Sequence, residues 1–174
     1  GGTTPVMDAL LSRLYAERTE LLTMDTRSDN PDDSPDQETA TMRRAEAPAG
    51  TQRLKHYAVP SAPVSSLADA RVFVLVGHTA SACEHFARAL QVTGRAVLVG
   101  ETTVGAGHFG AHHLFGGDRF QVFLPVGRTY PASTGEDWEG RGVAPDRAIP
   151  AADALNVVLA ELGVAAHASS STSQ

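Results

Sequence analysis

The run VFVLVGHTASACEHFARAL, Val72 to Leu90, decides how this chain is read. Val72–Val76 is short, apolar and valine-rich, in the manner of a buried strand, and Gly77 closes it. From about Ala82 to Val92 the apolar residues recur at helical spacing. Ser81 sits at the joint, where two mechanisms place a serine. Ser81-Ala82-Cys83-Glu84 reads S-x-x-E, the capping box that satisfies free amides of a first helical turn. A strand-to-helix turn also holds a nucleophilic hydroxyl beside N–H groups that stabilise an oxyanion. The local sequence serves both readings.

Working outward, RAVLVGE (Arg95–Glu101) is a second short buried strand. Strand, helix and strand within about thirty residues form a βαβ unit, which predicts a largely parallel sheet with a right-handed crossover. Upstream, Thr4-Pro5 supplies a cap and a first-turn proline. Met7, Leu10, Leu11, Leu14 and Tyr15 continue as a helical stripe ending near Arg18. TELLTM and LKHYAVP read as strands. Between them, residues 25–50 carry seven carboxylates against three arginines among Pro, Ser and Thr, which predicts a flexible insertion. DRFQVFLPVGRTYP alternates, with a turn expected at Val126-Gly127. Leu155, Val158, Leu159 and Leu162 mark a final helix, and residues 164–174 read as a disordered tail. The class is α/β.

The 174 residues are enough for one domain with a real core, at 42% hydrophobic and 20% charged. A net charge of −6 argues against a nucleic-acid partner, and no apolar run reaches the length of a membrane span. Cys83 is the sole cysteine, so no intrachain disulfide forms. No firm ligand spacing supports a metal site at His108, His112 and His113, and no cofactor motif is present. The glycine-rich VGETTVGAG lacks both the P-loop lysine and the G-x-G-x-x-G spacing of a nucleotide site.

Three separated clusters occur in order: HTASACEHF, VGETTVGAGH and DWEGRGVAPD. Together they resemble the tail-specific (C-terminal processing) serine peptidase family. The closer likeness is to the branch with tricorn-type proteases and the interphotoreceptor retinoid-binding protein modules. That pattern runs T-A-S-A-x-E, V-G-E-x-T-x-G-G-A-H and W-E-G-x-G-V-x-P-D; here Cys83 replaces a usual alanine and Ala106-Gly107 a Gly-Gly. The resemblance covers about Val72 to Leu155 and implies a crotonase/Clp-protease type fold of stacked β-β-α units. It also implies that Gly1-Gly2 ends a D-L-R-N-x-G-G segment, so that residues 1–163 are part of a catalytic domain.

By that resemblance Ser81 is the nucleophile of an acyl-enzyme reaction on a peptide or protein substrate. The N–H groups of Ala82 and Gly2 form its oxyanion hole, and Glu139 orients the catalytic base. The lysine of the Ser–Lys branch would stand at Ala106, and the only lysine in the chain is Lys55. The tricorn-type branch takes its histidine from upstream. His108 is the substitute base or substrate contact within the chain, and His78 is a weaker candidate. Gly105 and Gly107 allow a tight turn or close approach of a bound peptide. Such a peptide would add to a strand edge near them. Glu84 is read as structural and Cys83 as packing. The family resemblance suggests an extracytoplasmic setting and leaves oligomeric state open. The rival reading is a non-catalytic module carrying an apolar ligand, motivated by the missing base and by Phe109, Phe115, Phe120 and Trp138.

Overall fold

A computed structural model describes residues 2–29 and 38–164. The chain runs α1 (Thr4–Leu14), β1 (Thr19–Arg27), β2 (Met42–Ala45), β3 (Thr51–Ala58), β4 (Phe73–Val76), α2 (Ala82–Val92), β5 (Val97–Gly100), β6 (His108–Phe115), β7 (Phe120–Tyr130), β8 (Arg147–Ala148) and α3 (Ala151–Glu161). The expected βαβ unit is β4–α2–β5. Its strands pair in parallel from Phe73 opposite Val97 to Val76 opposite Gly100, and β8 adds in parallel beyond β5. Beside this three-stranded parallel sheet stands a five-stranded antiparallel one, ordered β2-β3-β1-β7-β6.

β1 is central in the larger sheet, and its register explains its one buried acid. Asp25 lies opposite Arg53 on β3 and Arg128 on β7. Arg53 donates to both carboxylate oxygens, at 2.6 and 2.9 Å, and the Tyr130 hydroxyl donates at 2.8 Å. Burial alone would raise the Asp25 carboxyl; the bonds from Arg53 and Tyr130 and the charges of Arg53 and Arg128 outweigh it and hold it below the usual range.

Two sequence expectations change here. Residues 25–50 are not one open insertion: Asp25–Arg27 completes β1, and Met42–Ala45 pairs with β3 from Met42 opposite His56. Met42 is buried while Arg43 and Arg44 face outward, the alternation of an edge strand. Residues 30–37, and the expected tail from 165 onward, lie outside the described residues. The hairpin turn falls at Gly116–Arg119, not at Val126-Gly127, and β7 runs straight through Gly127. Gly127 is needed for close approach: a Cβ there would lie 2.2 Å from Phe109 Cζ and 2.6 Å from the Asp25 carbonyl oxygen.

The main core joins the layers. Met7 and Leu11 of α1, Leu22 of β1, Ala87 and Leu90 of α2, Leu98 of β5 and Trp138 bury together. A second cluster packs Ala154 and Val158 of α3 on Val99. The α1–α2 contact brings the starts of both helices toward one cavity, with Gly2 close to Ala82: a Cβ on Gly2 would lie 3.9 Å from that of Ala82.

Candidate active site

The three motifs meet through a buried carboxylate. Glu84, fully buried at the third position of α2, accepts four donors. Its Oε2 takes the N–H groups of Ser81 and Ala106, each at 2.8 Å; its Oε1 takes the Gly105 N–H at 2.7 Å and the Thr103 hydroxyl. The Thr103 hydroxyl oxygen in turn accepts the Val143 N–H at 2.7 Å, and Gly140 N–H donates to the Gly105 carbonyl at 2.8 Å. Glu139 closes the ring from the third motif, its Oε2 accepting the N–H groups of Gly107 and His108 at 2.7 and 2.8 Å. Asp146 accepts the Leu98 N–H at 2.7 Å and pins the end of the same motif to β5.

Within this frame Ser81 takes φ 59° and ψ −129°, a backbone conformation that L residues rarely adopt. The capping box does form around it, and its firm bond is Ser81 N–H to Glu84. The Glu84 N–H is met by the Ser81 carbonyl at 2.8 Å, so the turn does not depend on the serine hydroxyl. Ser81 is exposed and lines a cavity of about 390 Å³ with Gly2, Ala82, Gly107 and His108. As the first helical residue, Ala82 presents an N–H with no acceptor inside the helix.

Five of the expected site residues therefore share one cavity. Gly105 is not among them: it is buried, and its N–H serves Glu84. Gly107 lines the wall, with its N–H given to Glu139. Glu139 works through the backbone that carries His108. The side-chain partner of His108 is Asp137, whose Oδ2 lies 3.3 Å from Nε2, a pairing the sequence reading missed although both acids stand in one short motif. Lys55 is engaged on the larger sheet with Glu20 at 3.0 Å and does not line the cavity. His78 and Cys83 are exposed, so the expected packing role of Cys83 does not hold. The phenylalanines are not gathered for a ligand. Phe109 lines the cavity, whereas Phe115 and Phe120 stand exposed on the β6–β7 hairpin, which removes that motive for the carrier reading.

Sequence reasoning also missed His85, one turn beyond Ser81 on α2. It lines the same cavity and is 6% exposed. Behind it lies His56, fully buried on β3, with Nδ1 2.8 Å from His85 Nε2; His56 Nε2 lies 2.7 Å from Asp8 Oδ1. Burial pushes both imidazoles down, His85 to about 3, with His56 adding a smaller contribution there and Asp8 partly opposing the shift at His56. The serine-to-histidine spacing of four was the available signal.

Comparison with known proteins bears on these features. The family model described as peptidase family S41 matches residues 1–149. Among solved structures, a photosystem II D1 C-terminal processing protease is similar over 87% of this chain and 32% of its own, at 24% identity and TM-score 0.59. Mature CPAF is similar over 93% and 40%, at 18% identity and TM-score 0.63. A lipoprotein from Streptococcus agalactiae is similar over 94% and 50%, at 16% identity and TM-score 0.60. This chain thus spans between a third and a half of the length of these proteins, and the likeness is one of fold. With the family match covering most of the sequence, the chain belongs to peptidase family S41.

Proposed function

We propose that this chain carries the nucleophile of a serine peptidase and cleaves peptide bonds through an acyl-enzyme on Ser81. The observation that carries the reading is the strained, exposed Ser81 at a helix start, sharing one cavity with Gly2, Ala82 and His108. A serine hydroxyl becomes nucleophilic when a base takes its proton. His108 is the base in this reading. Asp137 sits at its Nε2, leaving Nδ1 to receive the Ser81 proton, and Glu139 fixes the backbone of the same residue.

Ser81 Oγ attacks the carbonyl carbon while the proton passes to His108. The oxyanion meets the N–H groups of Gly2 and Ala82, aided by the partial positive charge of the α2 N-terminus. Collapse breaks the C–N bond, and the proton goes from His108 to the leaving amine. Water then repeats the sequence on the ester and frees the acid. The substrate lies along β6, an edge strand of the larger sheet that starts at His108 beside the glycine-rich turn. An extracytoplasmic setting fits the similarity to a lipoprotein.

The test is hydrolysis of a mixed peptide library. Ser81→Ala should lose at least about a thousandfold of the wild-type rate while keeping its circular dichroism and melting temperature. Undiminished cleavage in the variant would exclude Ser81 as the nucleophile.

A further inference from the structure

Asp8, His56 and His85 form a buried chain of hydrogen bonds that ends at the Ser81 cavity, and its polarity can be assigned. Asp8 accepts the Thr41 hydroxyl on Oδ2 at 2.7 Å, so both its oxygens act as acceptors, Oδ1 facing His56. His56 therefore donates through Nε2 and offers the lone pair of Nδ1. That lone pair accepts the Nε2–H of His85, across 2.8 Å. A neutral imidazole with its proton on Nε2 has an acceptor at Nδ1, and His85 lines the cavity. Three residues from α1, β3 and α2 thus fix one tautomer on the cavity wall.

We propose that His85 Nδ1 is the specificity determinant of this cavity, selecting substrates whose residue before the scissile bond has an apolar body and a terminal hydrogen-bond donor, as tyrosine has. The proposal rests on the peptidase reading, since it takes the cavity as the seat of that residue. Met7, Met24, Phe109 and Trp138 supply apolar walls, and Met7 and Trp138 are buried. Trp138 adds a buried indole N–H that finds no partner among the described residues. His85 is suited to accepting rather than to proton uptake: its burial and its bond to His56 disfavour the imidazolium. A hydroxyl that donates to Nδ1 replaces its lost water contact, whereas a phenyl ring leaves the lone pair buried and unmet.

The experiment measures binding of two product peptides, acetyl-Ala-Ala-Tyr and acetyl-Ala-Ala-Phe, followed by the fluorescence of Trp138, the only tryptophan. The tyrosine peptide should bind about tenfold more tightly to wild type, as one buried hydrogen bond predicts. Ser81→Ala should keep that ratio, because binding needs no nucleophile. His85→Leu should bring the ratio to about one, and His85→Asn, whose amide oxygen falls near the Nδ1 position, should restore part of it. If His85→Leu does not fold, the wild-type and His85→Asn ratios still decide. Equal affinities of the two peptides for wild type would overturn the proposal even with turnover intact. A tenfold preference without turnover would support it while counting against the peptidase reading alone.

Discussion

Glu84 shows how a single side chain can be legible in type and hidden in consequence. The S-x-x-E spacing identified it as a first-turn carboxylate, a role it keeps toward Ser81. What the spacing did not reveal is that it also accepts Gly105, Ala106 and Thr103, residues about twenty positions away. Those partners come from a loop whose path depends on β5, so no local pattern encodes them. Glu84→Ala would leave four donors at a fully buried position without an acceptor, at roughly 1–3 kcal/mol for each that water cannot reach. Urea denaturation should therefore show a loss of at least about 3 kcal/mol, with a smaller loss for Glu84→Gln, which keeps one accepting oxygen. A change below about 1 kcal/mol for the alanine variant would mean the loop is held by other contacts.

The β4–α2–β5 unit was readable because two short apolar runs flank a clear helical period, and α2 falls on Ala82–Val92 as expected. The larger sheet was harder. Gly127 carries the signature of a turn, yet it serves the packing of Phe109 across strands, and one sequence cannot separate these uses of glycine. The imidazole pair bridging β3 and α2 was equally invisible, because His56 and His85 lie 29 positions apart. It has a measurable signature. Above the ordinary histidine value near 6.5, folded and unfolded chains both hold these imidazoles neutral. Below it the unfolded chain takes up protons that the folded chain resists, down to about 3 for His85. Stability conferred by their burial is present above that ordinary value and is lost as pH falls toward the folded one, at up to roughly 1.4 kcal/mol per pH unit for each imidazole. The Asp25 carboxyl loses its contribution only below the usual carboxylate range, so the interval from about 6.5 to 4 isolates the histidines. Urea unfolding across that interval should steepen with acid in wild type, with the slope reduced by about half in His85→Leu. Equal slopes would show that the pair does not resist protonation.

Taken as a molecule, the chain explains why three distant motifs occur together. Glu84 joins the serine turn to the glycine-rich loop, and Thr103 and Glu139 join that loop to the Trp138 segment. The result is one rigid collar around a cavity whose mouth carries Ser81, the Gly2 and Ala82 backbone and His108. The family was legible from the motifs, and the proposed base was only partly so, since His108 was noted but its partner Asp137 required the fold. The central claim is that the Ser81 hydroxyl is an activated nucleophile. The most direct measurement is covalent labelling of the folded chain with a fluorophosphonate at pH 8, followed by mass mapping of the tryptic peptide between Arg71 and Arg88. The account predicts one adduct on Ser81, absent from Ser81→Ala. A chain that stays unlabelled, or that carries the reagent on another residue, would contradict it.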